Sequence, residues 1–181
     1  MQMDLKDIKD EDLKRCAEFH GHICPGLTIG FRAAQYAKKL LGLTFSEDED
    51  VVCVSENDAC GVDAIQVLLG CSAGKGNLLF HMRGKQAFSF YNRKTGKSVR
   101  LVLKASKENM DRDEWQQELM SLPDEEVFDV KEVTFSLPVK AKIFVSYPCE
   151  KCGEITAESY VRLEDGKKLC LDCYEEYSRF S

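Results

Sequence analysis

The stretch Val51-Val52-Cys53-Val54-Ser55-Glu56-Asn57-Asp58-Ala59-Cys60-Gly61-Val62-Asp63-Ala64-Ile65 changes character half-way along. Its first five residues are short, continuous and mostly β-branched, which is the pattern of a buried strand. From Val62 onward the apolar positions Val62, Ile65, Leu68 and Leu69 recur with helical spacing, so a helix starts near Cys60. A strand that runs into a helix N-terminus is where layered α and β structures collect polar and reactive groups. Cys60 falls there as a thiol at a helix start, a position that lowers thiol pKa, with Glu56 and Asp58 beside it. Asp58 also suits a plain N-cap, and Cys60 a buried structural thiol.

Upstream, Phe19-His20-Gly21-His22-Ile23-Cys24-Pro25-Gly26 holds two of the three histidines in the chain and a further cysteine. It lies between two helical patterns. Residues Lys6 to Phe19 form a first helix with Leu5, Ile8, Leu13, Cys16 and Ala17 on an imperfect apolar face, and Leu27, Phe31, Ala34, Ala37 and Leu41 mark a second, opened by Pro25 and stopped by Gly42. His20, His22 and Cys24 stand at i, i+2, i+4. An extended junction puts all three on one side, whereas a helix puts only His20 and Cys24 on a common face. Imidazole and thiolate together suit zinc, nickel or iron(II). The plainer reading is a Gly/Pro break between helices with Cys24 as a small buried hydrophobe.

Downstream, Gly70 to Asn77 is a loop. Its Gly74-Lys75-Gly76 lacks the preceding strand and the glycine spacing of a phosphate-binding loop, so a tight turn is expected. Strands follow at 78–81, 86–91 and 99–103, the last alternating Arg100 and Lys104 with apolar residues as in a sheet with one wet face. His81 reads as structural or surface. The order helix, strand, helix, three strands predicts an α+β core with helices on a mixed sheet. Glu108 to Ser121 is a further helix carrying Trp115 and Leu119, and Glu132 to Val145, interrupted by Pro138, reads as a connector.

At the C-terminal end, Cys149-Glu150-Lys151-Cys152 and Cys170-Leu171-Asp172-Cys173 are two paired knuckles with the spacing of a four-thiolate structural zinc site. A turn at Glu164-Asp165-Gly166-Lys167 makes a hairpin between them, and Tyr174-Glu175-Glu176-Tyr177 reads as a helix start, which together describe a treble-clef-like finger. The expected divisions are a core with a His/Cys cleft at 1–107, a helix-and-strand connector available for dimer contacts at 108–147, and the zinc finger at 148–181.

The net charge of −6 argues against general nucleic-acid or membrane-surface binding. The basic residues of the finger are matched by acidic ones, so duplex DNA is a poor partner for it. Nine cysteines without a secretory core at the N-terminus point to a cytoplasmic chain that uses thiols for metal or redox chemistry rather than disulfides.

The runs Phe19 to Leu27, Asp58 to Gln66 and Gly70 to Leu78, in that order, resemble the FmdE family of formylmethanofuran dehydrogenase proteins over about residues 10 to 105. The resemblance implies an α+β core, a treble-clef zinc finger in longer members and an intertwined homodimer. It implies that His20, His22, Cys24 and Cys60 line a cleft that binds a second transition metal, with Asp58 supporting a metal ligand or accepting a proton. It also implies an accessory subunit or small enzyme linked to a molybdenum- or tungsten-pterin oxidoreductase of C1 units, although the chain carries no pterin or iron–sulfur signature of its own. Two other functions remain open from the residues: a metal or ligand sensor whose finger binds a protein or nucleic acid, and a thiol enzyme in which Cys24 and Cys60 are nucleophile or redox pair and the histidines are bases.

Overall fold

The computed structural model describes residues 8–105 and 108–180, and the chain divides into two compact units, 1–141 and 142–181. In the larger unit α1 (Glu11–His20), α2 (Pro25–Leu41), β1 (Val51–Ser55), α3 (Gly61–Leu69), β2 (Leu78–Phe80), β3 (Ala87–Asn92) and β4 (Ser98–Leu103) follow in the expected order. They are followed by α4 (Arg112–Ser121), α5 (Asp124–Val127) and β5 (Phe128–Lys131). The first helix is shorter than its apolar pattern suggested. Asp10 is its N-cap, accepting the amide hydrogen of Leu13, and residues 8–10 precede it; Lys6 lies outside the described residues.

Among the described residues of this unit the strands form one mixed sheet in the order β2-β1-β3-β4-β5. β1 and β2 are parallel, joined through α3, and the remaining pairs are antiparallel. Side chains alternate across the sheet as the period-2 geometry of strands requires. Val51, Cys53, Phe88, Phe90, Val99, Leu101 and Phe128 join Leu27, Phe31, Ile65 and Leu69 in the main core. The opposite face carries Val52, Val54 and Tyr91, over which Val133 and Phe135 pack, with the Tyr91 hydroxyl donating to the Phe135 carbonyl at 3.0 Å. The connector at 132–145 forms no strand among the described residues.

Trp115 and Leu119 of α4 are buried in the main core, so the single tryptophan is ordinary packing. α4 is held to α2 by Arg32, which donates to the carbonyls of Leu119 and Leu122 and to Asp124. Gln116 also donates to Thr28 of α2.

α2 and α3 meet at glycines. A Cβ on Gly30 would lie 1.9 Å from the Gly61 carbonyl oxygen, and one on Gly61 would lie 3.0 Å from the Gly26 carbonyl. Only hydrogen at these positions permits so close an approach, and the approach brings Cys60, at the start of α3, beside Cys24, at the start of α2.

The smaller unit contains the hairpins β6 (Ser146–Pro148) with β7 (Ile155–Ala157) and β8 (Arg162–Glu164) with β9 (Lys167–Leu169). The knuckle and hairpin of the expected finger are present, but among the described residues no helix follows the second cysteine pair. Tyr174 N–H closes one turn onto the Cys170 carbonyl and the chain then runs on without helical bonds. Tyr174 packs on the small core, but Tyr177 and Phe180 are almost fully exposed, so the segment past Tyr174 buries no apolar face, and a short helix without such a face does not repay its nucleation cost.

Candidate functional site

The junction between α1 and α2 is extended. Gly21 ends α1 with φ of 91°, a left-handed conformation that glycine adopts without penalty, and its N–H donates to the Ala17 carbonyl. Cys24 is the N-cap of α2, with φ −153° and ψ 161°, and its Sγ accepts the Leu27 amide hydrogen at 3.3 Å. This geometry places the donor atoms of His20, His22 and Cys24 all within 4.8 Å of one another. His20 Nε2 lies 3.9 Å from Cys24 Sγ, and the two imidazole rings are 4.7 Å apart. Around a tetrahedral zinc, nitrogen and sulfur donors lie about 3.6 Å apart, so the observed spacing is a few tenths of an ångström wider than a loaded site. The donor set, two imidazoles and one thiol, fits a borderline-soft metal ion with a coordination position left over.

Cys60 stands against Cys24 but outside that mutual three-atom group. Burial, and after it the neighbouring Cys24 sulfur, push its thiol pKa up. The lowering expected from its place at the start of α3 does not prevail, because the thiol is partly withdrawn from water and a second sulfur sits alongside. Asp58 is exposed and is not the N-cap; Cys60 holds that position, without a side-chain cap bond. His81 is exposed and its ring packs on Phe135.

A cleft of about 420 Å³ opens beside the junction. Its wall includes His20, Asp58, Cys60, Asp63 and Gln66, with Phe80 at the side. Asp63 is the residue that sequence reading missed: its Oδ2 lies 2.7 Å from His20 Nδ1, and its Oδ1 accepts a hydrogen bond from Gln66 at 3.1 Å. Its position three residues after Cys60, on the same face of α3, was the available signal.

In the smaller unit the sulfurs of Cys149, Cys152, Cys170 and Cys173 also lie within 4.8 Å of one another. Four thiolates about 2.3 Å from a central zinc lie about 3.8 Å apart; Cys152 and Cys170 are at 3.9 Å. Amide hydrogens of Cys152 and Cys170 point at Cys149 and hold its thiol pKa down to about 6, favouring the thiolate that a metal needs. The set is closed, with four protein donors, which is the form of a structural zinc site.

Comparison with known proteins agrees with a four-cysteine zinc finger at this end of the chain. A family model described as prokaryotic dksA/traR C4-type zinc finger matches residues 143–179. A protein of Archaeoglobus fulgidus named as a probable S-adenosyl-L-methionine-binding protein is 32% identical over 198 residues, covering 91% of this chain and 53% of that protein. The chain thus spans about half the length of this curated relative. The crystal structure of a tungsten formylmethanofuran dehydrogenase FmdE-like protein from Syntrophus aciditrophicus superposes with a TM-score of 0.63, at 23% identity and 96% coverage of both chains, and so shares the fold. A second family model, described as FmdE, molybdenum formylmethanofuran dehydrogenase operon, matches residues 19–129. With that match running from the histidine junction through the whole sheet to β5, the chain belongs to the FmdE family.

Proposed function

We propose that the core unit is a metal-binding cleft protein in which His20, His22 and Cys24 hold a transition metal and Cys60 stands beside it at the cleft wall. The observation that carries this reading is the convergence of three donors from one short junction, fixed by Gly21 and by the N-cap of α2, next to a cleft of ligand-binding size. A metal held there supplies a Lewis-acidic position open to a small molecule. The protein's own residues then shape what enters. Asp58 and Asp63 make the wall acidic, Phe80 and Leu78 give it apolar surface, and Cys60 offers a second sulfur.

The family supports a role as an accessory subunit or small enzyme linked to molybdenum or tungsten C1 oxidoreductases, acting as a homodimer. Cysteines that are all free among those described fit the reducing cytoplasm. The zinc finger is structural in this reading. No described helix is long and apolar enough to cross a membrane.

One observation favours a second reading. The relative named for S-adenosyl-L-methionine suggests a small cationic ligand, and the cleft wall has two carboxylates and, among the described residues, no lysine or arginine. In that case the cleft binds or senses the ligand, and the finger contacts a partner.

Elemental analysis of the full chain decides between them. The metal reading expects about two metal ions per chain, falling to one in the double variant Cys24→Ser/His22→Asn. Serine keeps an N-cap acceptor for Leu27, so α2 remains capped while the soft donor is lost. One zinc in both proteins would sink the core metal and favour the ligand-binding reading.

A further inference from the structure

The hydrogen bond between α1 and α3 joins the ligand cluster to the cleft. Asp63 Oδ2 is 2.7 Å from His20 Nδ1, while the other ring nitrogen, Nε2, is the one that faces Cys24 Sγ at 3.9 Å. A carboxylate oxygen can only accept, so the hydrogen on the neutral ring sits on Nδ1 and the lone pair on Nε2. The carboxylate is itself held: its other oxygen accepts from Gln66 Nε2 one turn along α3. The His20 side chain is 13% exposed and that of Asp63 33%, so the contact is partly shielded from competing water.

We propose that Asp63 is the positioning residue of this site, fixing the Nδ1–H tautomer of His20 so that Nε2 is presented to the cluster with Cys24 and His22. The same arrangement serves either chemistry open to the site. A carboxylate behind the imidazole raises its basicity as a metal ligand, and it orients the ring equally well toward a thiol. Asp63 also lines the cleft, so a ligand that engages its carboxylate acts directly on the group that orients His20. The metal arm of this inference rests on the proposed core metal; the tautomer does not.

The test uses the full chain loaded with a single equivalent of zinc, which the four-cysteine site takes and which leaves the core site free, at a pH where imidazoles are neutral. Ring nitrogen-15 chemical shifts report which nitrogen carries hydrogen, and His22→Asn and His81→Asn variants identify the His20 signals. The expected result in the otherwise unaltered protein is Nδ1–H at His20, shifting in Asp63→Ala toward the mixed population of a free histidine. A His20 ring protonated at Nε2, or signals unmoved by Asp63→Ala, would overturn the proposal. The first of these measurements needs no variant at position 63, so misfolding of Asp63→Ala does not rescue it. Cobalt(II) is then titrated into the same zinc-loaded proteins. Uptake by the unaltered chain with a ten- to hundred-fold weaker affinity in Asp63→Ala supports the positioning role at a metal. Uptake at equal affinity in both refutes that role. Absence of uptake by the unaltered chain refutes the core metal alone, and the tautomer result stands on its own.

Discussion

Glu56 and Arg100 show what single residues contribute to this fold. Both are almost fully buried, on the sheet face that carries Val52 and Val54 rather than the helices. Arg100 donates to both carboxylate oxygens, Nε to Oε1 at 2.6 Å and a terminal amino nitrogen to Oε2 at 2.9 Å. That paired bond is the chief reason the Glu56 carboxyl is held below the usual carboxylate range. A carboxyl with a lowered folded-state pKa stabilises the protein above its unfolded pKa, and the contribution is lost as pH falls through the folded value. Glu56→Gln should therefore be less stable at neutral pH, by about 3–5 kcal/mol because Arg100 is left buried without a countercharge, and the loss should shrink on acidification. Urea unfolding at neutral pH and at a pH below the carboxylate range checks this; equal losses at both would contradict it. At this scale the sequence showed which residues carry chemistry but not which of them meet. His20, His22 and Cys24 were legible because they are neighbours in the chain. Asp63 was not, because its contact with His20 spans 43 positions and exists only once α1 and α3 have packed.

The elements were read well where one pattern dominated. β1, α2 and α3 each carry an unbroken apolar run or a clean helical period, and α2 and α3 have the boundaries that Pro25, Gly42 and Gly70 predict. α5 and β5 were missed because the acidic run Asp124-Glu125-Glu126 hid the start of Phe128-Asp129-Val130-Lys131, a strand of only four residues that alternates correctly and pairs with β4. The short end of the finger was misread for the opposite reason: Tyr174 to Tyr177 has a helical composition, but only Tyr174 packs on the finger and no apolar face extends beyond it. The crossing of α2 and α3 was also invisible, since glycines at positions 26, 30 and 61 mark a close approach only when the helices are known to touch. Gly30→Ala should drive these helices apart. Its methyl meets backbone rather than a flexible side chain, so destabilisation of at least about 1–3 kcal/mol is expected, with Cys60 displaced from Cys24. A lowered melting temperature together with loss of any Cys24–Cys60 cross-link under mild oxidation would bear this out; an unchanged melt and cross-link would show that the crossing has slack.

The whole molecule holds two interiors of different kinds. The larger unit buries a broad apolar cluster drawn from α1, α2, α3, α4 and the sheet. The smaller one buries little beyond Cys149, Leu169 and Cys170, too few apolar groups to hold a fold by themselves. Removing zinc with a strong chelator should unfold residues 142–181 and leave the larger unit folded, seen as collapse of amide chemical-shift dispersion for the finger alone. Dispersion retained throughout the finger after metal removal would show that the thiols are not what holds it. The division also bears on how such a chain comes to exist. A module whose centre is an ion and four sulfurs brings its own cohesion with it. It can be joined to or dropped from another protein as a short cassette, and residues 19–129 and 143–179 match two different families.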